Sequence, residues 1–89
     1  MIKHLKISIT GKVQTVGFRY SAKQKADELG INGFASNEQD GSVHIEVEGT
    51  LEKIEEFIKW CQQGPTNAKV ENLTSEEGKI KNYQGFEIQ

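Results

Sequence analysis

Hydrophobic and polar positions change period repeatedly along the chain, and each change marks an element. Residues 4–10 alternate, with Leu5, Ile7 and Ile9 on one side and His4, Lys6, Ser8 and Thr10 on the other. A period of two, rich in β-branched residues, predicts a half-buried strand, and Gly11 is expected to end it. The period then lengthens. Phe18, Ala22, Ala26 and Leu29 recur at helical spacing on one face, leaving Lys23, Lys25, Asp27 and Glu28 for water. Gly30 stands where a left-handed residue stops a helix. A second strand is expected over Ile31–Asn37, followed by Glu38-Gln39-Asp40-Gly41. The Asp-Gly pair tolerates positive φ, so it predicts a hairpin turn. Beyond it Val43, Ile45 and Val47 alternate with His44, Glu46 and Glu48, the clearest strand in the chain, with the polar set expected to face solvent.

At Gly49-Thr50 the period returns to the helical one. Thr50 is a good N-cap, and Glu52, Glu55 and Glu56 follow early, where the helix dipole favours acids. Leu51, Ile54, Phe57, Ile58 and Cys61 form the predicted buried stripe, and Gly64-Pro65 closes the helix. Val70–Glu77 and Tyr83–Ile88 read as further strands, the last short, with Phe86 and Ile88 on one face. The order is β-α-β-β-α-β with a short extra strand. Right-handed, un-knotted connections arrange it most simply as an α+β fold, an antiparallel sheet with both helices on one face, the ferredoxin-like split β-α-β plait. One domain over residues 1–89 is expected at this length.

The joint between the first strand and the first helix carries the main chemical signal. Gly11-Lys12-Val13-Gln14-Thr15-Val16-Gly17-Phe18-Arg19 is a loop opening into a helix, with two bracketing glycines and an arginine in the first turn. Such a loop points unpaired backbone N–H groups at whatever lies above it, the dipole adds partial positive charge, and Arg19 adds a forked cation. Two readings stay open from these residues: a receptacle for a phosphate-sized anion, and a plain connection with a surface arginine. Asn37 is a second candidate. A neutral amide at the end of the second strand can lie close to that loop and direct a water without repelling an anion, or it can simply start the turn.

Little else in the sequence suggests chemistry. His4 and His44 fall on polar strand positions with no second soft ligand nearby, so no metal site is expected. Cys61 lies on the apolar stripe of the second helix, where an inert buried thiol is the default, and as the only cysteine it forms no internal disulfide. The net charge of −2, with 11 basic against 13 acidic residues, argues against broad nucleic-acid binding. A nucleic-acid-binding sheet would also want a basic, aromatic face, whereas His44, Glu46 and Glu48 supply the wrong charge. No apolar run approaches the ~20 residues that cross a membrane, and no signal peptide is evident. A cytoplasmic monomer is the expectation.

In these two regions the sequence resembles the acylphosphatase family, over nearly the whole chain. The family's first motif reads Gly-x-Val-Gln-Gly-Val-x-Phe-Arg, matched by Gly11, Val13, Gln14, Val16, Phe18 and Arg19. Its second runs from a glycine through an aromatic to an asparagine and on to Gly-x-Val and a final glycine, filled here by Gly33, Phe34, Asn37, Gly41, Val43 and Gly49. The resemblance implies a ferredoxin-like enzyme that hydrolyses the carboxyl–phosphate bond of small acyl phosphates, with no metal and no cofactor. It assigns phosphate binding to Arg19 and to the loop amides of Gln14, Thr15, Val16, Gly17, Phe18 and Arg19, and orientation of the attacking water to Asn37. Two positions depart. Thr15 stands where the family has glycine, and Ser36 where it usually has a longer, often basic residue. A β-branched residue is poor at the positive φ that a glycine there suggests, so Thr15 keeps open a second reading, a non-catalytic module that binds phosphate-bearing metabolites.

Overall fold

The longest strand, β1 (Ile2–Lys12), has a partner on each side, and the sheet is built outward from it. A computed structural model describes residues 1–89 as β1, α1 (Phe18–Leu29), β2 (Asn32–Asn37), β3 (Val43–Thr50), α2 (Leu51–Cys61), β4 (Lys69–Glu77) and β5 (Phe86–Ile88). The strands lie in the order β4-β1-β3-β2-β5. The four long strands pair antiparallel, as expected of the ferredoxin-like plait, and β5 adds to the outer edge of β2 in parallel. No helix is long and apolar enough to cross a membrane.

The core follows from the alternation. Ile7, Ile9, Ala35, Val43, Ile45 and Val47 point from the sheet towards Phe18, Ala22 and Ala26 of α1 and Ile54, Phe57 and Cys61 of α2, and all are buried. The helix stripe is shorter than the sequence predicts. Leu51, in the first turn of α2, is 48% exposed, because that turn has no neighbour to cover it. Gly11 does not end β1 either. It sits at a bulge in the β1–β4 ladder with φ +122, and the strand continues to Lys12. A Cβ there would stand 2.2 Å from the carbonyl oxygen of Lys69, so only glycine lets the two strands stay paired through the bulge.

The second face of the sheet overturns an expectation. Glu46 and Glu48 of β3 are not a solvent row; only 8% and 4% of their surfaces are exposed. Residues 78–85, which connect β4 to β5 without regular structure, run across that face. Gly78 N–H donates to the carbonyl of His4 at 2.9 Å, and the N–H groups of Lys81 and Tyr83 donate to the Glu48 carboxylate. His4, itself buried, has Nδ1 2.7 Å from Glu48 and Nε2 2.8 Å from Glu46. His44 and the Tyr83 hydroxyl reach Glu46 as well, at 2.8 and 3.2 Å. Tyr83 therefore belongs to this crossing segment, and the last predicted strand shortens to Phe86–Ile88.

No buried side-chain polar atom is left without a partner, which is the condition under which carboxylates tolerate burial. Burial pushes the Glu46 carboxyl up, but hydrogen bonds from His44, His4 and Tyr83 outweigh it and hold the group below its usual range. Glu48 behaves alike: burial raises it, while the Lys81 N–H, His4 and the Tyr83 N–H lower it further.

Candidate active site

The loop between β1 and α1 is pinned at both ends by buried side chains. Val13 enters the core before it, and Phe18 after it packs edge-on against Trp60 at a centroid distance of 5.6 Å. Between them the backbone turns sharply. Gly17, the N-cap of α1, is left-handed at φ +77 and ψ +23, and no side chain caps the helix behind it. The first N–H groups of α1 are therefore left for a ligand or for water.

Thr15 is left-handed too, at φ +62. A β-branched residue held there costs about 1–2 kcal/mol relative to a right-handed one, so the loop keeps the backbone a glycine would adopt despite its side chain. The Thr15 hydroxyl donates to the carbonyl of Gln14 at 2.6 Å. Its proton is thus spent inside the loop rather than aimed at a bound anion.

Arg19, the second residue of α1, and Asn37, the last of β2, line one pocket of about 290 Å³ together with Thr15, Gly17 and Phe18. The structure thus brings together most of the residues singled out from the sequence. Gln14 and Val16 are not part of that lining: Val16 leans on the core, and the Gln14 side chain turns to the β2–β3 hairpin. The exposed side chains of Tyr20 and Ile88 do line it, and sequence reasoning missed both. Ile88 arrives only because β5 pairs in parallel beside β2, a register that no local signal encodes. The same strand brings the main-chain oxygen of Gln89 to Arg19, whose Nη1 donates to it.

Charge in the pocket is one-sided. Arg19 is its only ionisable cation, and no carboxylate side chain lines it. A neutral amide faces that cation from Asn37. The arrangement can seat a small dianion on backbone N–H groups and a guanidinium fork, with a donor and acceptor opposite. Cys61 lies in the core, where burial pushes its thiol up and leaves it unreactive.

The family model described as Acylphosphatase matches residues 5–88. This chain belongs to the acylphosphatase family. An acylphosphatase of Vibrio vulnificus (strain CMCP6) is 45% identical over 83 residues, covering 93% of this chain and 92% of that protein. Among solved structures, an acylphosphatase from Coxiella burnetii superposes with a TM-score of 0.95 at 32% identity, over 99% of this chain and 93% of the other. One from Bacillus subtilis gives 0.95 at 30% identity, over 100% and 99%. The acylphosphatase fold therefore accommodates Thr15 in the β1–α1 loop without a change of architecture.

Proposed function

We propose that Arg19, the N–H groups of the Gln14–Arg19 loop and Asn37 carry out the hydrolysis of small acyl phosphates on this chain. The activity follows from the family: the chain is a hydrolase that splits the carboxyl–phosphate bond to a carboxylate and inorganic phosphate. The assignment of roles is supported above all by one observation, that Arg19 and Asn37 line the same pocket although they come from different elements. The phosphoryl group sits on the loop amides and the Arg19 fork, which hold it and stabilise the charge on its equatorial oxygens. Asn37 holds a water in line with the leaving carboxylate. Water attacks phosphorus, the P–O bond to the acyl group breaks, and the electron pair leaves with the carboxylate. One proton of the water passes to a phosphoryl oxygen, giving dihydrogen phosphate. No basic side chain is required, because a carboxylate is a good leaving group. The proposal takes residues 1–89 as one domain, acting as a monomer in the cytoplasm; the single buried cysteine fits a reducing compartment.

The test is phosphate release from benzoyl or acetyl phosphate, without added metal, for wild type and Arg19→Ala. Removing one well-placed donor costs about 10²–10³ in rate, and Arg19→Ala is expected to lose at least that. Wild-type turnover no faster than the variant's would refute the assignment. In ¹⁸O-water the label is expected in phosphate; a trapped phospho-enzyme would refute direct attack.

A further inference from the structure

The two halves of the pocket follow β1 and β2, strands that the sheet joins only through β3. The β1–β3 ladder ends at Ile9–Val43, and after the bulge β1 stays with β4 through Gly11–Val70 and Lys12–Lys69. Left to the sheet alone, the 13–17 loop would be free to splay from the β2–β3 hairpin that begins immediately after Asn37. One side chain spans the gap. Gln14 Nε2 donates to the main-chain oxygen of Glu38 at 2.7 Å and to that of Ser42 at 2.9 Å. These two oxygens face each other across the neck of the hairpin, where Glu38 N–H also donates to Ser42 at 2.9 Å. The turn above them is closed by Asp40, which accepts from the Ser42 N–H at 2.9 Å and the Ser42 hydroxyl at 2.6 Å.

We infer that the Gln14 side chain is a positioning residue for hydrolysis: it sets the spacing and angle between the phosphate cradle and Asn37. The inference rests on the reading of Asn37 as the group that orients water. An amide suits the task physically. Its NH₂ carries two donors in one plane, which matches two carbonyl acceptors and fixes the hairpin at two points, so that it can neither slide nor rotate against the loop. A carboxylate on the same stem would set negative charge against two carbonyl oxygens, and a shorter amide would not reach. The side chain does not line the pocket, so it acts on the reaction through Asn37 rather than through the substrate.

A double-mutant cycle with benzoyl phosphate as substrate and inorganic phosphate as competitive inhibitor tests this. Gln14→Met keeps the length and removes both donors. It is expected to lower kcat on the order of 10- to 10²-fold, the scale of a small misplacement of a catalytic group, with the phosphate Ki nearly unchanged. In an Asn37→Ala background the same substitution is expected to lower the residual kcat little, because the group it positions is gone. An equal loss in both backgrounds, or a Ki that rises in step with the fall in kcat, would place the effect on the cradle and overturn the inference. Wild-type kcat in Asn37→Ala alone would overturn the reading beneath it, and that outcome needs no Gln14 variant to recognise. Gln14→Glu gives a second measurement should the methionine variant fold poorly. Its carboxyl regains one donor when protonated, so its deficit relative to wild type is expected to shrink as pH falls from about 7 to about 4, through the ordinary glutamate range. A deficit constant with pH overturns the inference.

Discussion

His4 Nδ1 and Glu48 Oε2 stand 2.7 Å apart on a sheet face closed by residues 78–85. The other ring nitrogen faces Glu46 at 2.8 Å. This cluster ties β1 and β3 to the segment that leads into β5, and so to Ile88 in the pocket. Both carboxyls are held below their ordinary value of 4.5 in the folded protein. The sign follows: the unfolded chain binds protons first as pH falls, so their contribution is fully present above that value and is lost as pH drops through the folded values. Urea unfolding at a series of pH values is expected to show this acid loss, and Glu48→Gln to flatten it. An unchanged acid limb in Glu48→Gln would mean that other carboxylates dominate. His4→Leu takes one partner from each of two buried carboxylates, which keep His44, Tyr83 and the Lys81 N–H, and is expected to cost about 1–3 kcal/mol.

Arg19→Lys separates charge from geometry. Lysine keeps the positive charge but loses the planar fork that meets two phosphate oxygens at once. A fall in kcat/KM intermediate between wild type and Arg19→Ala is expected, on the order of 10- to 10²-fold. Full efficiency in the lysine variant would show that the fork contributes nothing.

Asn37 variants should split binding from turnover. Asn37→Ala is expected to lower kcat by about 10² or more while phosphate still binds as a competitive inhibitor with an unchanged Ki. Asn37→Asp adds a negative charge opposite the phosphate site, so it is expected to raise both KM and Ki. A large rise in Ki for the alanine variant would move Asn37 from the water to the phosphate.

Thr15→Gly tests a strained position. Relief of the left-handed threonine is partly offset by the added freedom of glycine in the unfolded chain, leaving a net stabilisation of about 0.5–1 kcal/mol. Because the hydroxyl donates within the loop, kcat/KM is expected to hold or rise. A lower Tm, or a marked loss of activity, would show that the threonine side chain serves the site.

Much of this was legible because local patterns decide local elements. The alternation of Leu5, Ile7 and Ile9, the helical spacing of Ile54, Phe57 and Cys61, and the Asp40-Gly41 turn each found the expected element. The joint holding Arg19 and the strand end holding Asn37 were readable for the same reason. Burial of Glu46 and Glu48 was not, since alternation says which face a residue takes and not whether that face is covered. Their cover is an irregular segment more than thirty residues away, supplied largely by backbone N–H groups that leave no trace in side-chain patterning. Tyr20 and Ile88 at the pocket, and the doubly donating Gln14, likewise depend on which elements meet, a matter of register rather than of composition.

The sheet order has a kinetic consequence. Leu5 pairs with Glu77 and Lys12 with Lys69, so β1 finds one of its two partners only after most of the chain has been drawn together. Closing such long loops before any contact rewards them slows folding, and a sheet of this topology belongs with domains that fold in about milliseconds to seconds rather than microseconds. The pocket draws on both ends of the chain, from Thr15 to Ile88, and is complete only when β5 docks. Activity should therefore return late in refolding. A phosphate bound to the finished site should slow unfolding while leaving the refolding rate almost untouched.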